Sequence, residues 1–299
     1  MKNTENEKEK NGYRYAALHL AEKGIIEQTV VYDGGVYTRR LSCYPELIIC
    51  GAGHVAYALS QTAASVGFRE TVIDDRKEFA SPDRFEKGIT VICDDFVHAL
   101  KSIDHPYAWY AVMTRGHKND EECVAEILGR SYMYLGMMGS HTKIAYTRQQ
   151  LLNRGFTQKQ IDTIHAPIGL AIGAQTPEEI AVSVTAELIQ ERAKLGCSYL
   201  DEDVYNLLRT DTRAMTTATI IKKEGSAPRG EGSCLAVTDS GTVAGTVGGG
   251  SVEAAVIKEA SAVKDGTAPF IKEYGLSNSS AADLGMVCGG KVTVLFERV

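Results

Sequence analysis

The feature that most constrains this chain is a glycine turn set between an apolar run and a helix-like stretch. Residues 47–50 (LIIC) are apolar, Gly51 and Gly53 follow at once, and 55–66 is typical of a helix. A second strand-like run then ends in the acid Asp74. Strand, glycine turn, helix, strand and acid in this order predict a Rossmann-type nucleotide site. The alternative is that the glycines serve only a tight turn between strand and helix.

Each residue of this pattern has a physical role in the prediction. Gly51 permits a tight turn, Gly53 lets the backbone approach a phosphate, and amides at the helix N-terminus favour an anion. Asp74 lies 23 residues after Gly51, near the spacing at which an acid meets a ribose hydroxyl. The neighbouring residues expected to complete this lining are His54, Asp75 and Arg76.

Strand-like and helical stretches continue to alternate after this unit. Strands are expected at 89–93, 107–113 and 132–135, with a helix over 119–130. The alternation predicts a parallel sheet with helices on both faces, and ligands bind such sheets at the carboxyl ends of the strands. Thr114 and His117 follow one of these ends and are candidate site residues, with His117 also a candidate acid–base catalyst. An ordinary loop or helix-cap role remains open for His117.

A well-marked helix is predicted over 177–195. Thr176 and Glu179 form a capping box around Pro177, which suits the first helical position. The preceding residues 167–173 (PIGLAIG) are small and apolar, which predicts close backbone approach to a sheet or to a ligand.

The C-terminal part of the chain is dominated by clusters of glycine. A polar, acidic stretch over 197–203 predicts a linker, and strands and a hairpin are expected between 217 and 247. The loop 225–232 (GSAPRGEG) and the run 248–250 (GGG) favour close approach to a ligand, and the run leads into a helix whose amides suit an anion. Tight turns alone are the alternative. The candidate binding residues of this part are Arg229, Gly248, Gly249, Gly250, Ser251, Glu253 and Gly289.

Cys288 is the one cysteine with a distinctive surrounding, between an apolar pair and two glycines. Such a thiol becomes reactive if a cation or a helix terminus lowers its pKa, and otherwise it is a small buried hydrophobe. All seven histidines lie between His19 and His165. Any chemistry in the C-terminal part therefore depends on thiol, carboxylate, hydroxyl, cation or backbone groups.

Length, charge and cysteine usage bound the remaining possibilities. A chain of 299 residues predicts roughly two domains. The expected division is an N-terminal segment 1–44 with a frayed tail, a Rossmann-like domain 45–198, and a small glycine-rich α+β domain 199–299. A net charge of −6 argues against nucleic-acid binding. Seven scattered cysteines without CxxC, no signal peptide and no long apolar run predict a cytoplasmic protein off the membrane.

Motifs in both halves together resemble the xanthine dehydrogenase accessory factor family (XdhC/CoxI), from about residue 45 to the end. The stretches that carry the resemblance are 48–56 (IICGAGHVA), 72–80 (VIDDRKEFA), 112–120 (VMTRGHKND), 134–143 (YLGMMGSHTK), 167–188 (PIGLAIGAQTPEEIAVSVTAEL), 225–232 (GSAPRGEG), 245–254 (GTVGGGSVEA) and 287–294 (VCGGKVTV). The resemblance implies a Rossmann-like domain plus a small CoxI-type domain.

The resemblance also implies a task, the maturation of molybdenum hydroxylases such as xanthine dehydrogenase. Members of this family bind the molybdenum cofactor (molybdopterin), hold it during sulfuration and insert it into the apoenzyme, as carriers more than turnover enzymes. The implied partners are the hydroxylase apoenzyme, a cysteine desulfurase and further copies of the chain. In this interpretation Arg229 and backbone amides hold the pterin phosphate, and the Cys288 thiolate serves as catalytic residue and metal ligand.

Two departures from the family pattern limit this transfer. The small module often precedes the Rossmann domain, whereas here it follows. Ser251 occupies a position that is often cysteine, and a hydroxyl is a poorer ligand for a soft metal than a thiolate. Cys288 is then the remaining thiol within the matched motifs.

Two other functions stay open at this stage. The glycine turn and Asp74 also suit an NAD(P)-dependent oxidoreductase, in which His117 is the acid–base group, or a nucleotide-sensing partner protein without catalysis. The expected site is a cleft between the carboxyl edge of the sheet and the glycine loops.

Overall fold

The fold is that of a computed structural model, which describes residues 12–42, 44–275 and 290–299, and only the backbone of His117. The chain divides into two compact units, Pro45–Leu195 and a second formed by Met1–Tyr44 with Gly196–Val299. The expected frayed tail lies outside the described residues, as do the candidate site residues Cys288 and Gly289.

The N-terminal segment folds as a helix followed by a hairpin. Its elements are α1 (Tyr13–Lys23), β1 (Ile25–Tyr32) and β2 (Gly35–Ser42), and β1 pairs antiparallel with β2. Sequence analysis leaves this segment without assigned structure, and it belongs to the second unit.

The unit Pro45–Leu195 alternates strands with helices, as predicted. Its elements are β3 (Glu46–Cys50), α2 (His54–Ser65), β4 (Arg69–Asp74), β5 (Thr90–Cys93), α3 (Phe96–Ser102), β6 (Trp109–Val112), α4 (His117–Leu128), β7 (Tyr134–Met137), α5 (His141–Asn153), α6 (Gln158–Ile161) and α7 (Pro177–Lys194), with a 3₁₀ turn at Pro82–Arg84. The sheet has the order β5-β4-β3-β6-β7, and all its neighbouring strands are parallel. The predicted Rossmann-like parallel sheet is confirmed.

The sheet is buried on both faces, because successive residues of a strand point to opposite sides. In β3, Leu47 and Ile49 pack in one apolar cluster with residues of α2 and α7. Ile48 and Cys50 pack in another cluster with residues of α3 and α4. The carboxyl edge of the sheet, where the strands lead into helices, is therefore the edge left for a ligand.

The second unit is built mainly from antiparallel strands, which confirms the predicted α+β character. Its further elements are β8 (Ser198–Tyr199), α8 (Glu202–Thr210), β9 (Met215–Glu224), β10 (Cys234–Thr238), β11 (Val243–Gly245), α9 (Gly250–Ala262), β12 (Phe270–Gly275) and β13 (Lys291–Arg298). One sheet has the order β11-β10-β9-β13-β12, and a smaller one has the order β1-β2-β8. The predicted hairpin is confirmed as the antiparallel pair β10–β11.

The linker expected over 197–203 is wrong. These residues form β8, which pairs in parallel with β2, and the start of α8. Leu200, Val204 and Leu208 recur at helical spacing and are buried with residues of α1, so this acidic stretch carries an apolar face.

A buried ion pair ties the N-terminal hairpin to the last strand. The Arg39 guanidinium on β2 pairs with the Glu297 carboxylate on β13, and its Nε donates to Gln28 Oε1 at 3.1 Å. The guanidinium carbon lies 3.7 Å from the centroid of the Tyr13 ring. These contacts make the N-terminal segment part of the core of this unit.

No helix within the described ranges is long and apolar enough to span a membrane.

Candidate functional site

The glycine turn leads from the end of β3 into α2, as the fingerprint requires. Gly51 has a φ of 116°, and a Cβ placed there would lie 2.5 Å from the carbonyl oxygen of Met113. Gly53 is different, because its backbone is extended and a Cβ would meet nothing within 4 Å. Packing within the described chain therefore explains the glycine at 51 but not at 53. Space remains in front of α2, whose N-cap carries no side-chain cap.

Asp74 ends β4 and turns inward onto the glycine turn. Its Oδ2 accepts from the backbone amide of Ala52 at 2.7 Å, and its Oδ1 accepts from the amide of Arg76 at 3.0 Å. The Arg76 guanidinium also donates to both oxygens, at 2.8 and 2.9 Å. Burial opposes ionisation of this carboxyl, but the hydrogen bonds from Arg76 and Ala52 outweigh it and lower the pKa of Asp74.

These contacts change which acid faces the solvent at the end of β4. Asp74, expected at a ribose hydroxyl, is 1% exposed, with both oxygens taken by protein donors. The Asp75 side chain is 47% exposed, with an oxygen 3.9 Å from Arg76 Nε. His54, the first residue of α2, is exposed as well. The structure thus gathers all the predicted residues from Gly51 to Arg76 at one edge, with Asp75 as the accessible carboxylate.

A second arginine, which sequence analysis does not single out, holds the other side of the turn. Arg84 Nη1 donates to the carbonyl oxygens of Ala52, at 3.1 Å, and Phe79, at 2.6 Å. Ala52 is therefore fixed at its amide by Asp74 and at its carbonyl by Arg84. The turn is held in place by these contacts before any ligand arrives.

Thr114 follows β6 at the same edge and belongs to a buried polar cluster. Its amide and hydroxyl both donate to Asp120 Oδ1, at 3.1 and 2.8 Å, and the Lys143 ammonium pairs with the other oxygen. Burial raises the pKa of Asp120, and Lys143 and Thr114 oppose that rise. Sequence analysis misses Asp120 and Lys143, because separation along the chain gives no sign that they meet.

His117 begins α4 directly after Gly116, within the turn between β6 and α4. Its side chain is not among those described, so its role as acid–base group or as cap stays a prediction.

A carboxylate network fixes the segment 167–173 to the sheet. Glu187 on α7 accepts from His165 Nδ1 at 2.8 Å, from the Tyr134 hydroxyl at 2.9 Å and from the amide of Gly169 at 2.5 Å. A Cβ at Gly136 would lie 2.4 Å from Ile168 Cδ1. The expected close approach of this segment to the sheet is confirmed.

In the second unit the two glycine loops are neighbours. Gly248 has a φ of 118°, and a Cβ there would lie 3.2 Å from Pro228 Cβ and 3.4 Å from the amide nitrogen of Arg229. Arg229 is exposed, and no ion pair holds it within the described chain. The loops therefore place an accessible cation beside the triple-glycine turn.

Glu253 shapes this turn from the first turn of α9. Its Oε2 accepts from the amides of Val247, at 3.0 Å, and Gly249, at 3.1 Å, and from the Thr246 hydroxyl. Burial opposes ionisation, but these hydrogen bonds lower the pKa of Glu253. The expected cofactor contact at Glu253 is thus occupied by the protein's own backbone.

The amide of Gly248 is engaged too, since it donates to Thr246 Oγ1 at 3.0 Å. With the amide of Gly249 already bound to Glu253, the donors that remain for an anion are those of Gly250 and Ser251, where α9 begins. Gly249, the N-cap, supplies no side-chain cap, and Ser251 is exposed.

The described thiols offer no activated nucleophile beside these loops. Cys234 is buried, and burial raises its pKa to about 11. Cys50 and Cys123 are buried beneath the glycine turn of the other unit. No cluster of three or more His, Cys, Asp or Glu side chains suited to a metal occurs in the part of the chain that is described. The thiolate role of Cys288 stays a prediction.

The fold and these sites define a Rossmann-type α/β unit with a dinucleotide-type turn, carried on one chain with an antiparallel unit that presents paired glycine loops. Residues 47–188 match the model of the XdhC Rossmann domain, and residues 208–275 match that of the XdhC and CoxI family. The chain belongs to this family.

Two curated relatives and one solved structure place the chain further. It is 34% identical over 148 residues to the uncharacterized protein YqeB of Escherichia coli, which covers 49% of this chain and 27% of that protein. It is 31% identical over 184 residues to a probable xanthine dehydrogenase subunit from Bacillus subtilis, covering 60% and 51%. The chain thus spans about a quarter and about half of these relatives. A crystal structure of a xanthine dehydrogenase from Bacillus halodurans matches with 33% identity, a TM-score of 0.46 and coverage of 53% and 46%.

Proposed function

We propose that this chain is an accessory factor for a molybdenum hydroxylase of the xanthine dehydrogenase type. It binds the molybdenum cofactor, keeps it during sulfuration and inserts it into the apoenzyme. Family membership and the name of the Bacillus subtilis relative support this role. The observation that carries it is the contact between the Gly248 turn and the Arg229 loop, which sets an exposed cation beside the uncapped start of α9.

The described residues fit the anionic end of the cofactor. A Cβ at Gly249 or Gly250 would meet nothing within 4 Å, so the turn leaves room for a phosphate group. Arg229 then binds the phosphate as a charged donor, and the amides and hydroxyl at Ser251 complete the anion contacts. The described residues supply no ligand for a soft metal, so the proposal assigns that contact to the Cys288 thiolate.

Each partner in this proposal has its own task. When bound, the cofactor supplies the molybdenum centre and its exchangeable sulfur. A cysteine desulfurase delivers the sulfur, and the hydroxylase apoenzyme receives the finished cofactor. In this scheme the chain binds, orients and protects the cofactor, and its location is the cytoplasm.

Activation of a xanthine dehydrogenase apoenzyme tests this function. We expect Arg229→Ala and Cys288→Ala to lower the recovered client activity by at least about tenfold, the worth of one charge-assisted contact. Matched controls are Arg213→Ala, an arginine of the same unit already paired with Asp211, and Cys93→Ala, an exposed thiol of the other unit. Full client activation by both Arg229→Ala and Cys288→Ala would remove these residues from the proposal.

Nucleotide binding by the unit Pro45–Leu195 is a second candidate function. The observation that favours it is the open space at Gly53 in front of α2, in a turn already fixed by Asp74 and Arg84. NAD(P) is the ligand of the oxidoreductase alternative, and any adenine nucleotide serves the nucleotide-sensing alternative.

Calorimetric titration with NAD, NADP and ATP separates these possibilities. We expect saturable binding that Gly53→Val abolishes without loss of stability, since the added side chain enters open space. Hydride transfer to a substrate would favour the oxidoreductase. The absence of saturable binding by all three nucleotides would end both alternatives.

A further inference from the structure

Helix α7 presents an apolar stripe on the face that its own unit leaves uncovered. Its buried residues are Ala181, Ser183, Val184, Thr185, Glu187 and Leu188. On the opposite face Val182 is 51% exposed and Ile189 is 40% exposed. Ala186 and Ala193 lie on the same stripe, half-buried and exposed. Single exposed apolar side chains are ordinary, but two large ones aligned with two alanines on one helix form a contact surface.

The spacing of this stripe is the same in both directions along the helix. Val182, Ala186, Ile189 and Ala193 are separated by four, three and four residues. In an antiparallel pair of identical helices, residues on this stripe therefore fall at matching heights. Val182 then faces Ala193 of the second copy, and Ala186 faces its Ile189. A large side chain meets a small one at every level, which is the complementarity that close helix packing needs.

The charges at the two ends of α7 favour the same arrangement. Its first turn carries Glu178 and Glu179, and its last turn carries Arg192 and Lys194. Antiparallel pairing sets the acidic turn of one copy beside the basic turn of the other. A parallel pair would bring like charges together.

We infer that the outer face of α7 is the surface through which two copies of this chain associate, with their α7 helices antiparallel about a two-fold axis. A two-fold contact must be self-complementary, and the stripe and the end charges of α7 both meet that condition. The inference uses only the unit Pro45–Leu195 and does not depend on the cofactor role.

Sedimentation equilibrium of the full chain over a wide range of concentrations tests this surface. We expect a dimer that Val182→Glu and Ile189→Glu each weaken more than about 100-fold, because each buries an unpaired charge. Leu152→Glu is the matched control, since Leu152 on α5 is also 40% exposed but lies off the stripe. Circular dichroism and thermal melting confirm that each variant is folded.

A size exchange tests the register itself. Ala186→Leu alone should weaken the dimer, because the added side chain meets Ile189 of the second copy. Adding Ile189→Ala restores a large–small pair and should recover dimerisation. A monomeric wild-type chain, a dimer unaffected by Ile189→Glu, or equal disruption by Leu152→Glu would each overturn the inference.

Discussion

The carboxylate of Asp74 accepts a 2.7 Å hydrogen bond from the backbone amide of Ala52, the central residue of the glycine turn. This one contact joins the end of β4 to the turn after β3. It means that the acid of the nucleotide fingerprint also maintains the turn.

Asp74→Asn should destabilise the unit Pro45–Leu195 by about 2 to 4 kcal/mol, because it removes the charge that Arg76 and Ala52 both contact. Urea unfolding at neutral pH measures this change. The control Asp75→Asn removes a half-exposed carboxylate and should alter stability by no more than about 0.5 kcal/mol.

The pH dependence of the same variant gives an independent check. The pKa of Asp74 is lowered in the folded state, so its stabilisation is present above its ordinary pKa of 3.8 and is lost as pH falls through the folded value. The wild-type chain should therefore lose more stability on acidification than Asp74→Asn. Parallel curves for the two proteins would show that Asp74 is not a stabilising carboxylate.

Glu70 predicts a pH dependence of opposite sign. Burial, with help from the charge of Glu46, raises the pKa of this β4 carboxyl to about 8, and its Oε1 has no hydrogen-bond partner among the described residues. The folded chain thus holds a proton that the unfolded chain releases above its ordinary pKa of 4.5, and stability falls as pH rises from there to about 8.

Glu70→Gln should remove most of that fall, a relative gain on the order of a few kcal/mol at pH values above 8. Thermal melting across the pH range compares it with Glu178→Gln, which removes an exposed carboxylate from α7. If Glu70→Gln keeps the full wild-type pH dependence, Glu70 is ionised at neutral pH.

Arg39→Met should destabilise the second unit by about 3 to 5 kcal/mol, because it leaves the buried Glu297 carboxylate without its cation. The double variant Arg39→Met with Glu297→Leu should recover most of this loss, since two apolar side chains then replace the pair. Denaturant unfolding of the three proteins checks both statements. No loss on Arg39→Met would mean that the N-terminal hairpin is not part of this core.

Glu253→Gln should loosen the triple-glycine turn, because a neutral amide is a weaker acceptor for the Val247 and Gly249 amides. We expect faster hydrogen exchange at these amides and a stability loss of about 1 to 3 kcal/mol. Glu259→Gln on the same helix, which breaks a partly exposed pair with Lys272, should leave the turn unchanged. Equal exchange in both variants would contradict the role assigned to Glu253.

Local patterns in the sequence predict much of this molecule. The turn at Gly51, the parallel sheet and the capping box of α7 each depend on residues close together in the chain, and the structure has all three. The N-terminal hairpin and the strand within 197–203 escape prediction, because their partners are distant in sequence.

The site shows the same division between local and long-range information. The residue types at the turn and at the glycine loops are evident, but their occupancy is not. Asp74 and Glu253 are suited to ligands by type and position, yet both are engaged by backbone amides. The Asp120–Lys143 pair connects separate motifs, and only the folded chain brings them together.

The amount of pterin bound to the purified chain tests the central claim most directly. The chain is isolated from a host that makes the molybdenum cofactor, oxidised, and assayed by pterin fluorescence, mass spectrometry and metal analysis, beside Arg229→Ala. The account predicts molybdopterin on the wild-type chain and a clear loss on the variant. No pterin on the purified chain, together with no saturable binding of added cofactor, would contradict it.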